Sequence, residues 1–315
     1  MRVRYAPLAS FALVALVGQG AAVDAAAPGL EPGPVQAAAA PQSSRPHASG
    51  TWLENLSIFA GLDGSKQPQD LGINANMGAR FSANLGVPIS ERLNLGAQVG
   101  AGVNASDAAV HVLDQIEGTS NRTQTFVTLG LFQTVGRKTT WGFAYDALMQ
   151  QYYDDFTLGQ VRGFVGYDVT EVNEVGMWFT TSVKDDRGLM GSTPVKLDPI
   201  SQTNGYFAHN WPTGARTRLW LGLARGHHNI VWVLPDNSRD TNVVVYGADL
   251  ELPLSDRFAV SGSANFLTPT ATGTVDAFLG ITFFPGRNAA HYKRGTFVPA
   301  QAVANNPEFP INMSR

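Results

Sequence analysis

The chain has 315 residues, 15% of them charged, and a formal net charge of −3. A balance this close to neutral excludes the basic footprint of a nucleic-acid binder. The absence of cysteine excludes disulfides, thiolate metal centres, a cysteine nucleophile and a lipidated N-terminal cysteine.

The chain opens "MRVRYAPLASFALVALVGQGAAVDAAA". Arg2 and Arg4 form a basic start, an apolar core runs from about Leu8 to Val17, and small residues follow at Gly20, Ala22 and Ala25. This pattern predicts a secretory signal peptide over 1–25, too short to anchor in a membrane. Residues 26–50 are rich in Ala, Pro, Gly and Ser without apolar periodicity, and read as a disordered linker.

From Trp52 the pattern changes. Residues 73–87, "INANMGARFSANLGV", carry an apolar row (Ile73, Ala75, Met77, Ala79, Phe81, Ala83, Leu85, Val87) opposite a row of polar residues and glycine. A period of two is that of a strand. At ~3.3 Å per residue such a run spans roughly 50 Å, the reach of a tilted membrane strand with a projecting end rather than of an ordinary soluble strand. Twelve candidate strands follow in order: 52–61, 72–88, 93–105, 123–135, 140–153, 158–169, 174–184, 200–210, 217–226, 242–253, 258–267 and 275–284. The first is weakened by Glu54 and the eighth by a ragged start.

The connections sort by length. Short turns ("ISER", "GRKT", "TEVNE", "WPTGAR", "LSDR") alternate with longer loops ("LDGSKQPQDL", "SDAAVHVLDQIEGTSNR", "DDRGLMGSTPVKLDP", "HHNIVWVLPDNSRDT"), and two links are intermediate. An up-and-down meander whose ends face different compartments gives this alternation, whereas a Greek-key sandwich has no reason to. The fold class expected is all-β: an up-and-down antiparallel transmembrane barrel of about twelve strands over 51–286, with short periplasmic turns, longer external loops and a C-terminal tail at 287–315. Trp141, Tyr167, Tyr206, Phe258 and Phe283 sit near the short-turn end and are expected on the lipid face, as an aromatic girdle.

Over about residues 52–286 the chain resembles a bacterial outer-membrane β-barrel. More narrowly, "GLDGSKQPQDLGINAN", "VNASDAAVHVLDQIEG" and "DLELPLSDRFAVSGSANFLTPTATGTVDAFLG" resemble an uncharacterised bacterial family of surface barrels, a domain of unknown function. The resemblance implies fold and location and assigns no catalytic residues. One departure is the tail: barrels of this kind end on an aromatic last strand read by the insertion machinery, and here "DAFLGITFF" is internal.

Catalytic signatures are missing: there is no G-x-S-x-G, phosphate-binding loop, H-E-x-x-H or dinucleotide fingerprint. The six histidines are scattered, and His209, within a strand near the short-turn end, is misplaced for a lipid hydrolase acting at the outer face. The loop acids lack the spacing of a calcium loop. No enzyme, cofactor or metal centre is therefore expected. The lumen row is more informative. It carries Asn74, Asn76, Arg80, Asn84, Gln98, Asn104, Asp146, Gln150, Gln160, Arg162, Asp168, Lys184, Arg218, Asp249 and Glu251. Charges of both signs inside a barrel must pair or stay wet. Arg80, Asp146, Arg162 and Asp249 fall near mid-depth and form the candidate constriction. Two passive roles follow, a narrow porin-like channel for small polar solutes or a structural surface barrel. The expected partners are outer-membrane lipids, the barrel-insertion machinery and, for the channel, small polar solutes, with no nucleic acid. A soluble secreted β-sandwich binding a ligand or polymer is the alternative from another class, and a lipid hydrolase-like barrel enzyme a second.

Overall fold

A computed structural model of the chain describes residues 52–70, 75–109, 120–136, 138–227, 241–268, 274–290 and 297–314. The signal-peptide and linker expectations, Asn74, and most of the third and ninth connections lie outside these residues. The alternation of the opening stretch becomes geometry. Met77, Phe81 and Val87 are exposed, while Asn76, Arg80, Ser82 and Asn84 are buried on the other face of the same strand.

The strands are β1 (Leu56–Lys66), β2 (Asn76–Ser90), β3 (Leu95–Ala108), β4 (Asn121–Val135), β5 (Thr139–Gln151), β6 (Asp155–Asp168), β7 (Asn173–Lys184) and β8 (Asp186–Met190). They continue as β9 (Thr193–Pro199), β10 (Ser201–Asn210), β11 (Arg216–His227), β12 (Thr241–Pro253), β13 (Phe258–Thr268), β14 (Thr274–Phe283) and β15 (Ile311–Ser314). Twelve of them, β1–β7 and β10–β14, form one closed antiparallel barrel in which β1 pairs with β14 from Ile58↔Phe283 to Lys66↔Val275. Closure gives every wall strand two hydrogen-bonded neighbours, the condition for strands to cross an apolar solvent. All twelve expected strands are present. The first begins later than read, because Trp52–Asn55 forms a 3-10 turn and keeps Glu54 out of the wall.

Two features depart from the sequence reading. The connection between β7 and β10 is a hairpin, β8–β9, and β15 adds to it in the order β15-β9-β8. At the end of β7, Lys184 pairs with Gly159 and Ser182 with Gln160. This bulge adds one residue, so parity flips beyond it. Lys184, expected in the lumen, is exposed.

The interior is not uniformly polar. Phe126, Leu148, Phe156 and Leu158 of the wall form an apolar cluster with Met190, Val195 and Leu197 of the hairpin and with Val303, Phe309, Ile311 and Met313 of the tail. A second cluster gathers Trp178, Tyr206, Trp220, Val243, Val245 and Leu267. Burying each large side chain contributes about 1.5–3 kcal/mol, so the upper lumen is a packed core. The outer face is the reverse, with Phe81, Leu129, Leu221 and Leu279 all exposed. Depth along that face is testable. Leu221, 64% exposed at the middle of β11, and Leu254, 59% exposed in the β12–β13 turn, should differ sharply in tolerance of charge. In bilayer-reconstituted protein, Leu221→Arg is expected to cost about 2–4 kcal/mol of unfolding free energy and Leu254→Arg about 0–1 kcal/mol. Equal costs would contradict an apolar solvent around the barrel.

Candidate functional site in the barrel lumen

The chemistry-bearing side chains converge on the lumen, which the C-terminal tail occupies. Residues 297–314 run lengthwise through it. At the short-turn end a Cβ added to Gly86 would collide with the carbonyl oxygen of Phe297, and at mid-barrel one on Gly100 would meet Val303. At the long-loop end Ile311–Ser314 pairs with β9. Glycine at 86 lets the tail backbone approach the wall, and glycine at 100 makes room for the Val303 side chain.

An extended segment away from strand partners must find donors for its carbonyls. The wall supplies them from side chains. Asn84 Nδ2 and Gln98 Nε2 both donate to Gln301 O at 2.9 Å, and Arg162 Nη2 donates to Ala302 O at 2.7 Å. Arg80 Nη2 donates to Val303 O at 3.3 Å, Asn265 Nδ2 to Pro307 O at 2.9 Å, and Gln160 Nε2 to Glu308 O at 3.0 Å. In return, Ala304 N donates to Thr128 Oγ1 at 3.0 Å, and Asn306 Nδ2 to Asp63 Oδ1 at 2.6 Å.

Of the four candidate constriction residues, Asp146 and Arg162 are brought together. Arg162 Nε lies 3.1 Å from Asp146 Oδ2, and Nη2 donates to Oδ1 at 3.1 Å. Arg162 also pairs with Glu308 of the tail, and Thr128 and Gln160 bond the Asp146 carboxylate. This is a buried ion-pair network, one of the two arrangements that the charge pattern allows. Asp249 is apart from it, accepting from Arg218 Nε at 2.7 Å. Arg80 lies against aromatic rings, its guanidinium carbon 4.4 Å from the Phe278 centroid and 5.1 Å from that of Phe59.

The long-loop end holds a second polar network. Asp70, in the 3-10 turn Pro68–Asp70, accepts from Asn76 Nδ2 at 2.7 Å and Gln67 N at 2.8 Å, and faces Arg122 Nη1 at 3.4 Å. Burial pushes the Asp70 carboxyl above its ordinary range, against the opposing pull of Arg122. Gln67 ties this turn to the tail by accepting from Ile311 N at 3.2 Å. At the short-turn end the lumen widens into a cavity of about 620 Å³ walled by Arg80, Phe164, Arg218, Arg287 and tail residues 298–303.

Four of the five candidate girdle residues face outward. Tyr167 and Phe258 are exposed, Phe258 stacks on Phe283 with centroids 5.0 Å apart, and Trp141 is half-buried and donates to Gln133. Tyr206 does not belong with them. It points inward, donates to Glu174 Oε1 at 2.5 Å and lies beneath Arg218, while its neighbour Phe207 is exposed. Gln202 and Asn204, buried on the same face, set the phase of β10. The sequence reading missed the tail as part of the site. The available clue was the set of large apolar residues in the inward rows, which a water-filled lumen has no use for.

A comparison with curated proteins found no match. Among solved structures, the chain is similar to the β domain of the Bordetella autotransporter BrkA, at 10% identity, covering 73% of this chain and 98% of that one with a TM-score of 0.41. It is similar to the Ralstonia pickettii toluene transporter TbuX, at 11% identity, 74% and 90% coverage and a TM-score of 0.41. It is also similar to outer membrane phospholipase A from Escherichia coli, at 8% identity, 72% and 89% coverage and a TM-score of 0.38. A model of a family of unknown function, DUF6666, matches residues 55–311, which takes in the barrel and most of the tail, and the chain belongs to that family.

Proposed function

We propose that this chain is a barrel of the bacterial outer membrane whose lumen is held shut by its own C-terminal segment. In that state it is a structural surface barrel. The narrow channel for small polar solutes corresponds to the state in which the tail has left. The observation that carries this reading is the set of wall side chains, Asn84, Gln98, Arg162, Gln160 and Asn265, spent on the carbonyls of residues 301–308. The exposed apolar face supports membrane lipid as the surrounding solvent. Export by a signal peptide at 1–25 and insertion by the cell's barrel-assembly machinery complete the proposal.

Two measurements test the reading. In planar bilayers the intact protein should show no steady conductance, and removal of residues 297–315 should open ion-conducting events in a barrel that still migrates as folded. Equal conductance with and without the tail would contradict it. The charges should also behave as structural pairs. Asp146 is fully buried, whereas the Arg218 and Asp249 side chains are 28% and 26% exposed. Asp146→Ala removes one of the two carboxylates on Arg162 and leaves Glu308, and should therefore cost about 1.5–3 kcal/mol through lost buried charged hydrogen bonds, and Asp249→Ala about 0–1 kcal/mol. Small, equal costs together with altered ion selectivity in the intact protein would instead place these residues at an open constriction.

A further inference from the structure

Arg80 lies deep in the lumen and is 4% exposed, yet among the described residues its Nε and Nη1 have no hydrogen-bond partner. Its one side-chain hydrogen bond among these residues is the long contact from Nη2 to Val303 O. None of the nearby carboxylates bonds it: Asp63 accepts from Asn306 through Oδ1 and balances the Arg80 charge without contact, its Oδ2 having no hydrogen-bond partner among the described residues, while Asp249 accepts from Arg218, and Glu174 from Arg216 and Tyr206. A buried guanidinium with two open donors is costly unless something accepts from it. The rings of Phe59 and Phe278 hold it by cation–π contact. Arg80 lines the cavity of about 620 Å³, together with Phe132 and Phe164. Its wall mixes phenylalanines with charge, and of its four arginines Arg216 and Arg218 are paired with Glu174 and Asp249, which leaves Arg80 as the deepest cation with open donors in a space of small-molecule size.

We propose that this cavity binds a small organic monoanion, its carboxylate held by Arg80 and its apolar body by the phenylalanine walls. A planar carboxylate matches the donor geometry of a guanidinium. The single charge follows from the acids of the wall: besides the ion-paired Glu174 and Asp249, Asp168, Glu171 and Glu251 line the cavity and disfavour more highly charged anions. Arg287 lines the same cavity, lying 4.6 Å over the Phe284 ring, with Nε and Nη1 also lacking hydrogen-bond partners among the described residues. Burial lowers its guanidinium to about 10, which still leaves it cationic at neutral pH. It gives an entering anion a first cation before Arg80. The proposal stands apart from the membrane location, since the site is built from lumen residues alone.

The test uses the full chain in nonionic detergent and radiolabelled benzoate in equilibrium dialysis, with empty micelles as the blank. Saturable binding to one site per chain is expected, and benzyl alcohol, which lacks the charge, should not compete. Arg80→Met keeps an apolar stem between the two rings and removes the cation, and should weaken binding about tenfold or more. Ser82→Asp sets a carboxylate on the same face one step along β2, satisfies Arg80 from within, and should abolish binding in a folded barrel. If Arg80→Met fails the heat-modifiable gel-mobility check for folding, Ser82→Asp alone decides. Uptake no greater than the micelle blank, or benzoate binding unchanged by these substitutions, would overturn the assignment. Inorganic phosphate competing as well as unlabelled benzoate would overturn the monoanionic, apolar character given to the ligand.

Discussion

A backbone threaded through the inside of a barrel has no strand beside it to satisfy its carbonyls, and inside a protein an unsatisfied carbonyl is expensive. Much else in this molecule answers that constraint. The tail can lie in the lumen because Asn84, Gln98, Arg162, Gln160 and Asn265 reach it from different strands of the wall. Those side chains lie inward because the opposite parity of each strand is apolar. The apolar parity in turn suits strands that must face lipid, so the outer pattern and the inner plug are two consequences of one period.

The same constraint explains how the lumen is divided. From about 297 through the 3-10 turn Asn306–Glu308, the tail is met by polar and charged wall side chains set among phenylalanines. Where it becomes β15, its backbone is satisfied by β9, and the surrounding wall is free to be apolar, with Phe126, Leu148, Phe156 and Leu158 packed on Phe309 and Ile311. Asp146, Arg162 and Glu308 lie in the polar part. A charge network of this kind contributes little net stability against an apolar alternative, but it punishes misplacement, because a stranded buried charge costs several kcal/mol. It therefore sets the register of the tail more than it strengthens the fold.

The barrel was legible because its signals are local. Period-two rows and short turns mark strands without reference to anything distant, and all twelve were found, with ends displaced where a 3-10 turn (Trp52–Asn55) or a bulge (159/160) interrupts the pattern. The hairpin β8–β9 was hidden because its strands are short and β9 contains Pro194 and Pro199. Tyr206 was misread because aromatic residues suit both a lipid interface and a packed interior, so only its polar neighbours reveal the phase. The tail was hidden for a different reason. Its partners, among them Asn84 and Thr128, lie far away along the chain, and its own sequence has no period. The wall held the only trace: Trp178, Trp220 and Leu158 facing inward, and glycine at 86 and 100 where the tail passes closest.

The chain has no cysteine, so an introduced pair reports on one proximity alone. Gly100 and Val303 lie on the wall and the tail at mid-barrel, where a Cβ added to Gly100 would touch the Val303 side chain, close enough for the Cβ separation of about 3.5–4.5 Å that a disulfide requires. The double variant Gly100→Cys/Val303→Cys, folded in membranes and treated with a mild oxidant, should form an intramolecular disulfide in nearly every molecule. A control pair with the first cysteine moved to the outer face, Leu62→Cys/Val303→Cys, should form none. Free thiols at 100 and 303 in a barrel that is otherwise folded would contradict a lumen closed by its own tail.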